Sequence, residues 1–179
     1  MKSPPLREIL PALEKPSQNQ IAEILFKTLG LEQTGVGTAD SGRAVIERQL
    51  AAWGIAPTSV AVRDGSGLSR HDYIAPDAIV RVLDVMRKSP NFVVFRDALP
   101  LAGVDGTIAN RMRGTAAAGN VHAKTGFVDK ARSLSGYVTT ANGRVLIFSL
   151  LCNNWTTPSR EVDQVADAIA VRLAGLTGR

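Results

Sequence analysis

SLSGYVTT (Ser133–Thr140), ANG (Ala141–Gly143) and RVLIFSLLCN (Arg144–Asn153) read in order as a strand, a tight turn and a second strand. Ala141-Asn142-Gly143, a short loop with glycine, supplies a tight hairpin between them. A shorter run, Val121 to Lys124, reads as a third strand just before them. Pro158 then opens an amphipathic helix with Val162, Val165, Ala166, Ile169 and Leu173 on one side, ended by Gly175. A sheet of hairpins that needs a helix to cover it defines an α+β arrangement for the C-terminal third.

Working back from this sheet, the chain is richer in helices. Pro16-Ser17 opens a segment with Ile21, Ile24, Leu25 and Leu29 at helical spacing, which Gly30 is expected to end. Asp40 or Ser41 caps a second helix with Val45, Ile46, Leu50 and Trp53 on one side, ended by Gly54. Val60 to Val62 is a short apolar run into the turn-rich stretch Asp64 to Gly67. Ala75-Pro76-Asp77 begins a helix through Ile79, Val80, Leu83 and Met86, stopped at Ser89-Pro90. The division read from these patterns is a mostly helical and loop part over residues 1–118 and a sheet with its closing helix over 119–179.

Composition narrows the function. With 179 residues, 45% of them hydrophobic, the chain is long enough for one domain with a real core, and it lacks the signature of disorder. Its net charge of +5 comes from scattered basic residues without interleaved aromatics, so a nucleic-acid partner is not expected. No apolar run is long enough to span a bilayer, and the longest, Val145 to Cys152, reads as a buried strand. Residues 1–10 carry prolines and charges without an apolar centre, so no signal peptide is read there. The single cysteine, Cys152, sits in an apolar run and reads as a buried, inert thiol. Two histidines and one cysteine cannot assemble a metal centre by spacing, and no cofactor is expected.

The short motifs are weak one at a time. S-x-N arises by chance in about every second chain of this length, and it occurs here at Ser17-Gln18-Asn19 and Ser89-Pro90-Asn91. The second marks a helix stop, and by pattern alone Ser17 is a helix N-cap. Lys124-Thr125-Gly126 ends a strand, where a lysine could offer a cation to a carboxylate or simply face solvent. Asp64 to Arg70 (DGSGLSR) lacks the spacing of a phosphate loop and reads as a structural turn. Asp105-Gly106-Thr107 reads as a turn feeding a helix cap, without assigned chemistry.

Taken together and in order, the pieces carry more. SPPL (Ser3–Leu6), KPSQNQ (Lys15–Gln20), DGSGLSR, LPLAGVDGT (Leu99–Thr107), AKTG (Ala123–Gly126) and LSGYV (Leu134–Val138) resemble the penicillin-binding protein 4 type of D-Ala-D-Ala carboxypeptidase/endopeptidase, the class C low-molecular-mass penicillin-binding proteins. The resemblance covers nearly the whole chain. It implies the C-terminal part of the penicillin-binding/β-lactamase-like transpeptidase fold, over 1–179 as one partial domain.

In that family S-x-x-K, S-x-N and K-T-G build a serine peptidase site. By resemblance Ser17 and Asn19 form the second motif, with Ser17 passing a proton toward the leaving D-alanine and Asn19 holding the substrate amide. Lys124 would fix Ser17 and stabilise negative charge, while Thr125 and Gly126 line the substrate. The backbone N–H of Phe127 would be one oxyanion donor.

Two departures stand out. No serine in the chain is followed three residues later by lysine, so the nucleophile and its base are not among these residues. Phe127 replaces the usual threonine or serine after the glycine. The resemblance therefore implies a portion of a serine-type carboxypeptidase acting on peptidoglycan stem peptides ending in D-Ala-D-Ala, inactive alone. β-Lactams would react only once an N-terminal fragment is supplied, and the setting would be periplasmic or extracytoplasmic. The alternative is a non-catalytic module that binds wall peptides or a partner.

Overall fold

The structure, a computed structural model, describes residues 3–178. They fall in two compact units, one from residues 18–85 and one from 3–17 together with 86–178.

The 18–85 unit is led by two helices, α2 (Asn19–Thr34) and α3 (Ala39–Ala52). The expected stop at Gly30 does not occur. A Cβ on Gly30 would lie 2.8 Å from the Gly42 nitrogen, and Gly42 itself packs against the carbonyl of Phe26. The two glycines therefore let the helices cross closely, and Gly30 is a contact residue rather than a terminator. α2 ends instead at Gly35, in the left-handed conformation that closes helices. Thr38, two or three residues before the expected caps, opens α3: its hydroxyl accepts from the Ser41 N–H while Ser41 Oγ accepts from the Thr38 N–H.

β1 (Val60–Ala61) pairs antiparallel with β2 (Tyr73–Ile74), a strand too short to leave a periodic signal. Between them, the Asp64 carboxylate accepts from the N–H groups of Gly67 and Ser69, and Glu23 Oε1 accepts from those of Gly65 and Ser66. The amides that a phosphate would need are filled by the protein's own carboxylates, so this is a structural turn. α4 (Pro76–Arg87) starts on its proline as expected.

The other unit holds α1 (Leu6–Glu14), α5 (Phe92–Ala98) and an antiparallel sheet in the order β3-β4-β5. The strands are β3 (His122–Val128), β4 (Ala131–Thr139) and β5 (Val145–Asn153). α6 (Ser159–Ala174) lies over one face. The core between them contains Ile108, Val121, Leu134, Val138, Phe148, Ala170 and Ala174, all nearly or fully buried. Each large apolar side chain there is worth about 1.5–3 kcal/mol of burial. Arg111 ties α6 to the loop before β3, its Nε and guanidinium nitrogens donating to Asp167 at 2.7–3.2 Å. Phe92 and Phe95 from α5 meet Tyr137 of β4 edge-on, with centroids 5.2 and 6.5 Å apart.

Three expectations need correction here. β3 does not end at Lys124 but continues to Val128, because Thr125, Gly126 and Phe127 pair with Leu134, Ser133 and Arg132. Val145 to Cys152 is not a buried strand: β5 is at the sheet edge and only Phe148 in it is buried. Cys152 is exposed for the same reason, since it lies at the far end of that edge strand.

Candidate active site

β3 is an edge strand, and its alternation decides what it presents. The Ala123 N–H donates to the Pro100 carbonyl at 2.9 Å, on the side away from β4. In an antiparallel strand the N–H and C=O of alternate residues point the same way. Thr125 and Phe127 therefore direct their backbone groups to that outer edge as well. Gly126 belongs there for a packing reason: a Cβ would collide with Ser133 Oγ on β4.

Lys124 lies in the middle of this strand and is half-buried. Its Nζ donates to Ser17 Oγ at 2.6 Å and to the outward-facing Thr125 carbonyl at 2.8 Å. Ser17 is 107 residues away in sequence. It is not the cap of α2. That position is Gln18, while Ser17 holds φ at +58°, in the left-handed region that non-glycine residues seldom adopt. Its hydroxyl is turned to the lysine instead. Asn19, the first residue of α2, belongs to the other compact unit and is exposed.

Burial lowers the Lys124 pKa, and the negative charge of Glu14 partly opposes this. Glu14, the last residue of α1, is pushed up by its own burial against the pull of Lys124. The pair leaves a lysine whose proton is held less firmly than in water, hydrogen-bonded to a hydroxyl. Such an arrangement can pass a proton along the serine or stabilise an adjacent negative charge.

Thr125 Oγ1 donates to Thr107 Oγ1 at 2.8 Å. Phe127 is 61% exposed, and the guanidinium of Arg132 stacks on its ring. Lys15, two residues before Ser17, donates from Nζ to Asp105 Oδ2 at 2.7 Å and to the Leu99 carbonyl at 3.2 Å. Sequence reasoning gave no role to Glu14, Lys15, Asp105 or Thr107. The last three do fall inside the quoted blocks KPSQNQ and LPLAGVDGT, which was the available signal; Glu14 had none.

The chain matches the model of the D-Ala-D-Ala carboxypeptidase 3 (S13) family over residues 1–176. It is 42% identical over 178 residues to a D-alanyl-D-alanine carboxypeptidase of Actinomadura sp. (strain R39), covering 97% of this chain and 32% of that protein. Identity to the D-alanyl-D-alanine carboxypeptidase DacB of Haemophilus influenzae is 33% over 162 residues, 89% of this chain and 34% of that protein. The chain thus spans about a third of the length of these curated relatives. The crystal structure of penicillin binding protein 4 (dacB) from Haemophilus influenzae, complexed with a β-lactam, superposes with a TM-score of 0.88 at 29% identity. That match takes in 96% of this chain and 42% of the other. The TLA-3 extended-spectrum β-lactamase, 19% identical with a TM-score of 0.68, over 94% of this chain and 61% of its own, shares the fold alone. The fold is α+β and of the penicillin binding protein 4 and β-lactamase-like kind.

Proposed function

Because the chain belongs to the D-Ala-D-Ala carboxypeptidase 3 (S13) family, we propose that it is the portion of a serine-type carboxypeptidase that carries two of the three motifs of its site. The substrate is a peptidoglycan stem peptide ending in D-Ala-D-Ala, and the setting is extracytoplasmic. The observation that carries this reading is the 2.6 Å hydrogen bond between Lys124 and Ser17, the pair that the family resemblance implies.

The nucleophile serine and its lysine base come from an S-x-x-K segment outside these 179 residues. Within them, Ser17 passes the proton to the departing D-alanine amine, and Lys124 holds Ser17 and offsets the negative charge that develops during acyl transfer. Asn19 orients the substrate amide. The Phe127 N–H, on the outer edge of β3, is one of two oxyanion donors, the other being the nucleophile's own. Thr125 contacts the terminal carboxylate, and Gly126 keeps the strand flush for an extended peptide.

The test is acylation by a labelled penicillin. The 179-residue chain by itself is expected to stay unlabelled, and the same chain joined to an S-x-x-K-bearing N-terminal segment is expected to be labelled and to release D-alanine. A stable adduct on the isolated chain mapped to Ser17 or Ser66, or an inert joined protein, would sink the reading. A second reading draws on the absence of any S-x-x-K within these residues: a module that binds the stem peptide without turning it over. Saturable peptide binding by a joined protein that is never acylated would favour it.

A further inference from the structure

Ser17 reaches Lys124 from a backbone conformation that it does not favour, so something must hold it there. The hydrogen bonds around it form a closed ring. β3 holds the loop after α5: the Ala123 N–H donates to the Pro100 carbonyl and the Ala102 N–H to the Val121 carbonyl, each at 2.9 Å. That loop folds on Asp105, whose Oδ1 accepts from the Leu101 N–H at 2.9 Å. Asp105 Oδ2 then takes Lys15 Nζ at 2.7 Å, and Lys15 also donates to the Leu99 carbonyl. The Lys15 carbonyl accepts from the Thr107 N–H at 3.0 Å. Two residues on, Ser17 accepts from Lys124, which is back on β3. Thr107 closes a smaller ring through its hydroxyl, which accepts from Thr125.

We propose that Lys15 and Asp105 are positioning residues for the reaction: they clamp the turn after α1 so that Ser17 Oγ is presented to Lys124. The inference rests on the reading of Ser17 and Lys124 as working partners. The side-chain hydrogen bonds of Lys15 and Asp105 run to each other and to the main chain of Leu99 and Leu101, so their route to the site is through the placement of Ser17. Lys15 is gripped at three points, two at Nζ and one at its carbonyl, which fixes the backbone before the strained residue as well as the side chain. A surface ion pair would contribute little. This one is partly buried, with side chains 27% and 37% exposed, and each partner also bonds main chain, which fixes its direction.

The experiment reads Lys124 itself, in the 179-residue chain, by NMR of lysine side-chain nitrogens, with Lys124→Arg to assign the signal. Ser17→Ala sets the position that the Lys124 signal takes when its hydroxyl partner is gone. Asp105→Asn and Lys15→Met are expected to move the Lys124 signal, and its titration midpoint, toward that position while the amides of β3 to β5 stay in place. Lys15→Arg, which keeps the charge and the reach, is expected to move it much less. A Lys124 signal unchanged in folded Asp105→Asn and Lys15→Met overturns the inference. So does unfolding of both variants, which would make the clamp a folding element. If Ser17→Ala itself leaves Lys124 unmoved, it is the Lys124–Ser17 pairing beneath the proposed function that fails, a result separate from the other two.

Discussion

The guanidinium carbon of Arg132 sits 3.9 Å from the centroid of the Phe127 ring, and the two residues are direct partners in the β3–β4 register. Arg132 also reaches Asp163 of α6 at 3.6 Å. The ring after Gly126 is therefore held by a cation whose other side is tied to the covering helix. At a partly exposed site such a stack is worth about 0.5–1 kcal/mol. A double-mutant cycle of Phe127→Ala and Arg132→Met, followed by urea unfolding, is expected to return a coupling of about that size. A coupling indistinguishable from zero would show that the stack is incidental.

Lys124→Met should separate activity from stability. The lysine stem is half-buried and its charge is desolvated, so replacing it by a side chain of similar length removes a charge that folding disfavours. Unfolding free energy is expected to stay the same or rise. In a chain supplied with the nucleophile segment, turnover should fall by roughly 3 kcal/mol of transition-state stabilisation, on the order of a hundredfold. Loss of fold with full specific activity in the folded fraction would contradict this.

The parts of the fold that depend on local pattern were legible. The β4–β5 hairpin announced itself through Ala141-Asn142-Gly143 between two apolar runs, α4 through the proline that begins it and α6 through the proline just before it. Tertiary packing set what was misread. Gly30 looked like a stop because its use, a close approach to Gly42, lies in another helix. α5 was missed because seven residues after a proline carry too little periodicity. Gly126 looked like the end of a strand because only the register with Ser133 shows that it belongs inside one. Of the site, Ser17 and Lys124 could be paired only through the family resemblance that the ordered motifs carry. Glu14, Lys15 and Asp105 could not be given roles, since the Lys15–Asp105 contact closes over 90 residues.

Acid should strengthen the 18–85 unit over a defined window. Burial, together with the hydrogen bond and negative charge of Asp64, pushes Asp72 from 3.8 up to about 6, against the Arg63 N–H that it accepts. The folded state then binds a proton that the unfolded chain has lost, so unfolding free energy falls as pH rises between about 4 and 6. The contribution is fully present below the unfolded value and gone above the folded one. Asp72→Asn should flatten that slope in urea melts taken across the window; an unchanged slope would assign it to other groups.

Glu14 should tune Lys124 in a direction that can be read. Burial lowers the lysine and Glu14 raises it back, so Glu14→Gln is expected to depress the Lys124 titration midpoint further. Removing the carboxylate leaves Lys124 still buried without the charge that offsets the cost. The sign for stability follows: a depressed lysine binds fewer protons folded than unfolded, so stability rises with alkaline pH up to the unfolded value. Glu14→Gln should steepen that rise. Side-chain nitrogen NMR reads the midpoint directly, and an upward movement would reverse the assigned cause.

The edge of β5 should make the 179-residue chain self-associate. Among the described residues β5 pairs only with β4, so its other side carries an open row of backbone donors and acceptors. Natural edge strands are blunted by charge, proline or a bulge. From Val145 to Asn153 there is no charged residue and no proline. The register with β4 runs without interruption from Ala131↔Asn153 to Thr139↔Val145, so there is no bulge either. Val145 is 48% exposed, while Ile147 and Leu151, which alternate with the core residue Phe148, lie half-buried on the face opposite α6. An apolar, unpunctuated edge of this kind is the template on which a second copy can add a strand. Size-exclusion chromatography with light scattering at micromolar concentrations is expected to show species larger than a monomer. Leu151→Lys, which places a charge beside the open edge, should shift them back toward monomer without loss of helical signal. Supplying the N-terminal part of a relative in co-expression should do the same by covering the edge. A monomer at every concentration, with the β5 amides protected from hydrogen exchange, would mean that the edge is covered in some other way.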